Sequence, residues 1–162
     1  MKNNYLLEEG TIKEAFLPVD LNTAPVVGAR IGMAKTGRVA IAITMGTSVA
    51  ALVQFTFKQH NAATGGTSKV VAIANTYYVK AGAATSFTKV EPTVAASMVD
   101  LSTDFATNGG TVVFEILAED LDVDGNFSHI SVELADTAAA KLGSGLYIVD
   151  DCKFKPAYSE VV

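Results

Sequence analysis

Hydrophobic and polar positions alternate most clearly between Thr111 and Leu134. Over residues 111–119, Phe114, Ile116 and Ala118 fall on one face while Glu115 and Glu119 fall on the other, which is the period of a strand with one buried side. After a polar stretch from Asp120 to Asn126, residues 129–134 alternate again, with Ile130, Val132 and Leu134 inward. Two such runs joined by a Gly-containing turn predict an antiparallel hairpin. An earlier pair has the same construction. Residues 38–45 put Val39, Ile41, Ile43 and Met45 inward, Gly46-Thr47-Ser48 turns the chain, and residues 51–58 put Val53, Phe55 and Phe57 inward.

The remaining elements are shorter. Residues 69–74, 76–80 and 87–90 are β candidates, and Pro92 holds Glu91 extended at a strand end or edge. Ser102-Thr103-Asp104 suits the cap of a turn, and Asn108-Gly109-Gly110 is a turn ahead of the strand at Thr111. Residues 136–142 predict the one helical turn: Asp136 caps it, three alanines favour it, Lys141 suits its end and Gly143 stops it. Residues 145–149 return to strand, and 152–158 extend it toward an edge broken by Pro156. About eight short strands with one short helix predict an all-β chain, a β-sandwich or a jelly-roll-like barrel. Residues 1–36 have no clean period and contain Pro18, Pro25, Gly28 and Gly32. They read as an extended N-terminal arm laid over a surface of this molecule or of a neighbour, with residues 37–162 as the sandwich domain.

Composition narrows the function classes. A chain of 162 residues with 49% apolar and 18% charged side chains suits one globular domain that buries roughly 70% of its unfolded surface. A net charge of −5 argues against a nucleic-acid partner. The single cysteine, Cys152, excludes an intrachain disulfide and reads as a small apolar filler. The N-terminus lacks the apolar core of a signal peptide, and the weakly polar stretch 39–57 alternates, so no membrane span is expected and folding in a cytoplasm is.

One motif carries chemistry. Asp120-x-Asp122-x-Asp124-Gly125 matches the first half of a calcium loop, in which alternate carboxylates converge on the ion. The second half departs from it: Ser131 stands where a bidentate Glu is needed, and a strand follows instead of a helix. The competing reading is an acidic turn whose carboxylates bond local N–H groups, with Gly125-Asn126 at its tip. His60 falls in a loop and His129 at an outward strand position, neither with a ligand at metal spacing. No nucleophile elbow, P-loop or dinucleotide fingerprint is present, so no catalytic residue, cofactor or enzymatic activity is expected. Tyr77, Tyr78, Tyr147 and Tyr158 suit either interface anchors or core positions with a wet hydroxyl.

Residues 121–127, 129–132 and 138–148, together with the runs 37–45 and 53–57 before a Gly-rich loop, resemble small structural proteins of tailed bacteriophages. The likeness spans roughly residues 37–154 and is one of strand and turn texture. Several such proteins are capsid decoration or cement proteins. The resemblance therefore implies a non-enzymatic virion protein, made in the host cytoplasm, that binds the capsid exterior, bridges major capsid protein subunits and forms homo-oligomers on the particle. Two alternatives stay open: a tail or head–tail connector component, which would form rings, and a calcium-dependent carbohydrate-binding sandwich built on Asp120, Asp122 and Asp124.

Overall fold

The computed structural model describes residues 11–72 and 76–152, with the side chains of 150–152 excepted. Within them the chain is an all-β sandwich of two antiparallel sheets, with one short helix. The strands in chain order are β1 (Thr11–Asp20), β2 (Val26–Val27), β3 (Ile31–Gly32), β4 (Thr36–Met45), β5 (Gln54–His60), β6 (Ser68–Val70), β7 (Tyr77–Ala81), β8 (Thr88–Val90), β9 (Met98–Asp100), β10 (Gly110–Leu117), β11 (His129–Leu134) and β12 (Leu142–Cys152). Sheet I runs β1-β12-β4-β10-β7-β8. Sheet II has β11 and β5 at its centre. β2 and β3 share the outer side of β11, and β6 and β9 share the outer side of β5.

The predicted inward faces hold in β4, β5, β10 and β11, except that Ala118 falls in a 3-10 turn and is half-buried. Val39, Ile41, Ile43 and Met45 of β4, Val112, Phe114 and Ile116 of β10, Phe55 and Phe57 of β5, and Ile130, Val132 and Leu134 of β11 are all buried. The predicted hairpins do not form. β4 pairs with β10 in sheet I, and β5 pairs with β11 in sheet II, so both connections cross from one sheet to the other. Alternation fixes which side chains turn inward but not which strand lies alongside. The connections at residues 46–53 and 118–128 are also longer than tight hairpin loops, which leaves room to cross a core about 10 Å thick. Crossing brings Phe114 of sheet I against Phe55 and Phe57 of sheet II, with ring centroids 5.3 and 4.8 Å away in tilted and edge-on contact. Tyr77 packs on the same ring at 5.3 Å.

Residues 11–36, within the arm expected over a surface of this molecule or of a neighbour, lie on this molecule and supply strands to both sheets. β1 pairs with β12, and β2 and β3 pair with β11. Gly145 on the inner face of β12 leaves the space that receives the Phe16 ring: a Cβ there would lie 2.6 Å from Phe16 Cε1. Tyr147, buried on β12, reaches across the sandwich to the gap between β2 and β3. Its hydroxyl donates to Ala29 O at 2.8 Å and accepts the Val132 N–H at 3.2 Å. Gly28 N donates to Val132 O at 2.8 Å beside it, where a Cβ would lie 2.8 Å from that oxygen and 3.1 Å from the phenol. The phenol thus takes the place of a ladder partner that the interrupted edge strand does not provide.

The helix lies elsewhere than predicted. Residues 136–142 are not helical, because Ala138 takes a φ of 55° and ends the turn that the Asp136 carboxylate begins by accepting its N–H. The observed helix is α1 (Ser102–Phe105), where Asp100 Oδ1 accepts the Ser102 N–H at 2.9 Å and its hydroxyl at 2.6 Å. A single 3-10 turn covers Ala118–Asp120. Of the expected strand over 69–74, residues 68–70 form β6, while 73–75 lie outside the described residues; so do Tyr158 and all of the 152–158 extension beyond Cys152, whose side chain is likewise undescribed.

Burial pushes the Tyr147 phenol up to about 12. A raised acid favours the neutral folded form, so this contribution is complete below the ordinary value of about 10 and is lost as pH climbs from there to about 12. Tyr147→Phe is expected to lower stability by about 1–3 kcal/mol, because it leaves the Val132 N–H without an acceptor. Denaturant melts measure that loss. Absorbance titration should show one phenol fewer ionising near pH 12 in the variant than in the parent.

Candidate functional site: two unlike ends and a flat face

Strand directions give the sandwich two ends. At one end β4 and β10 meet at Met45 and Gly110, β12 begins at Leu142, and β7 finishes at Ala81. Lys141 organises this end. It is 1% exposed, and its Nζ donates to Phe105 O at 2.7 Å and to Asn108 O at 3.0 Å, where the chain leaves α1. Its N–H donates to Asp20 Oδ1 at 3.1 Å, and its carbonyl accepts the Leu21 N–H at 2.8 Å. Burial lowers the pKa of the ammonium. Further backbone bonds tie Ser48 to Thr107, Ala51 to Ala106 and Leu52 to Thr137. The loops here are therefore held by hydrogen bonds, while Leu17, Val49, Leu52, Phe87 and Leu142 stand exposed, Val49 at 82%.

The opposite end carries the acidic turn. Asp120 Oδ2 accepts the Leu117 N–H at 2.8 Å. Asp122 pairs with Lys69 and accepts the Gly125 N–H at 2.9 Å, and its own N–H donates to Gln59 Oε1 at 2.8 Å. The Lys69 bond first and the Gly125 N–H second hold the Asp122 carboxyl below the usual carboxylate range. Asp124 is exposed, and Asn126 turns the chain at a φ of 61°. Asp120 and Asp122 bond as the turn reading expects, and the three carboxylates are not gathered into a ligand set; among the described residues no group of three or more His, Cys, Asp or Glu could hold a metal ion. Lys69 also lies 4.6 Å from the centre of the Phe127 ring. Beside it Met33, Leu121, Val123 and Phe127 line an apolar dent of about 250 Å³.

His60 was expected in a solvated loop, yet it closes β5 and is 3% exposed. Its Nδ1 lies 2.6 Å from Ser68 Oγ and its Nε2 2.8 Å from Ser131 Oγ, linking β6, β5 and β11. The sequence hides this because Ser131, on the outer face of β11, comes beside His60 only once the pairing of β11 with β5 is known. Ser131 is fully buried, whereas Ser68 is exposed. His129 is half-buried, with Nδ1 3.0 Å from Ser128 Oγ.

Between the ends, the outer face of sheet I is flat in composition. Register places Glu14, Leu146, Ala42, Val113, Tyr78 and Lys89 side by side across all six strands. The row toward the Lys141 end is Ser144, Thr44, Thr111 and Lys80, with the two threonine hydroxyls 3.2 Å apart. The row on the other side begins Ile12, Ile148 and Ala40 and meets Glu115. Tyr78 is therefore a surface residue, while Tyr77 and Tyr147 belong to the core.

No family model and no curated protein matches this chain. Among solved structures, the SPBc2 prophage-derived protein YomS aligns at a TM-score of 0.44 with 13% identity, over 86% of this chain and 93% of that one. At that level the likeness bears on neither fold nor role. No helix among the described residues is long and apolar enough to cross a membrane.

Two outcomes test these arrangements. Burial first, then the Arg30 charge, lowers the His60 pKa below its ordinary 6.5. The unfolded chain then binds the proton more readily, so stability is complete above about pH 6.5 and falls as pH drops from there toward the folded value. Melting temperature should fall between pH 7 and pH 5, with a shallower slope in His60→Gln. Lys141→Met removes the cost of burying a charge but strands two carbonyls. The stranded acceptors should win, for a net loss of about 1–3 kcal/mol in denaturant melts.

Proposed function

We propose that this protein is a non-enzymatic virion component of a tailed phage that binds the capsid exterior and reinforces contacts between major capsid protein subunits. The observation that carries the reading is the end built on Lys141, where apolar side chains are presented to solvent on loops pinned by backbone bonds. A surface of this kind loses little entropy on docking, because its loops are already ordered. The resemblance of residues 37–154 to small phage structural proteins supplies the partner, and repetition over a shell lets weak individual contacts add up.

Residues 11–36, expected as an arm over this molecule or a neighbour, are used within the sandwich. The gripping element is instead the apolar end. In co-sedimentation with empty shells of the major capsid protein from the same genome, the purified chain should pellet with the shells. Val49→Glu and Leu142→Glu should each weaken binding about tenfold while the melting temperature stays unchanged. Failure to bind shells, or closed rings of the purified chain in solution, would replace this role with a tail or connector one.

A further inference from the structure

The outer face of sheet I is self-complementary, and we infer that it packs against the same face of a second copy of this chain. The inference deepens the self-association expected of a virion component, yet it rests on sheet geometry alone.

Two identical sheet faces can meet about a two-fold axis in their common plane, lying either across the strands or along them. An axis across the strands sets each strand against its own copy. Glu14 would then face Glu14 at one edge and Lys89 would face Lys89 at the other, which is repulsive at both. An axis along the strands reverses their order. Glu14 then faces Lys89 at each edge, Leu146 faces Tyr78, and Ala42 faces Val113. Large side chains meet at the flanks, and small ones let the backbones approach at the centre. In the neighbouring row Thr44 faces Thr111, and Ser144 faces Lys80. The charges therefore select one of the two arrangements, and the side-chain sizes fit the arrangement they select.

Leu146 and Ile12, 42% and 41% exposed, are the apolar side chains that the contact would cover best. Lys89 already meets Glu91 on its own chain, but both are exposed, and the ammonium keeps donors for a second carboxylate. Six strands spaced about 4.8 Å apart make the face roughly 24 Å wide, and three rows give it roughly 20 Å of height. The area covered is then about 1,000 Å² per pair, at the lower end for specific interfaces, so a weak and reversible dimer is expected.

Sedimentation equilibrium on the purified full chain, without shells, reads this directly. From about 5 to 500 µM the parent should show a monomer–dimer equilibrium. E14K and K89E should each weaken it at least fivefold, the combined E14K/K89E chain should recover to within twofold, and L146E should abolish it. All three positions are on the surface, and an unchanged melting temperature confirms that each variant is folded. A parent that stays monomeric at 500 µM overturns the inference and leaves the face to a different protein. A dimer indifferent to these substitutions, or a double swap that fails to recover, overturns it as well. None of these results touches shell binding, which the Val49 and Leu142 variants test separately.

Discussion

The Phe114 ring is the contact on which the two-layer arrangement depends. It is fully buried on the central strand β10, and it is met by Phe55 and Phe57 from the opposite sheet and by Tyr77 from its own. Edge-on and tilted aromatic contacts of this kind add about 0.5–1.5 kcal/mol each beyond the area they bury. They also prescribe a distance, because three rings around a fourth leave little freedom for the sheets to slide. Chain connectivity follows from that. If β4 and β5 were a hairpin, as their alternation suggests, Phe55 would lie in the same sheet as Ile41 and could not face Phe114 from across the core.

A sandwich made by crossing connections needs its edges closed, and here each edge of sheet II is divided between two short strands. β6 and β9 share one side of β5, with Val71 N donating to Phe57 O at 2.8 Å between them. On the other side, Tyr147 and Gly28 fill the break between β2 and β3. Divided edges offer no long unpaired row to another chain, which limits edge-to-edge association. They also explain why the N-terminal segment shows no period. Its residues are placed by local sockets, Phe16 against Gly145 and Leu21 against Gly143, and by a bond from Ala29 N to Ala15 O at 2.7 Å, not by a repeating pattern.

What was legible in the sequence was whatever period alone determines. The inward set Val39, Ile41, Ile43 and Met45, the matching sets in β5, β10 and β11, and the all-β class could be read because each strand buries one face. Strand partners could not, since an alternating run is equally suited to a neighbour in its own sheet or across the core. Residues 136–142 misled for a related reason: Asp136, the alanines and Lys141 satisfy local helix preferences, but Lys141 is drawn inward to two carbonyls some thirty residues earlier in the chain. Propensity differences of a few tenths of a kcal/mol per residue do not outweigh that bonding. His60 was misplaced because both of its serine partners depend on tertiary pairing. The acidic turn was readable as a turn, since its bonds to Leu117 and Gly125 are local.

The two ends of the sandwich solve the problem of irregular backbone differently. At the acidic end, carboxylates bond turn N–H groups and Lys69 covers Phe127, so charge remains outside and apolar surface is partly shielded. At the other end a buried ammonium binds the carbonyls from within, beside the buried side chains of Leu21, Ala51 and Phe105. Lys141 thus adds hydrogen-bonded order at this end through the carbonyls of Phe105 and Asn108, while Val49 and Leu142 stay exposed.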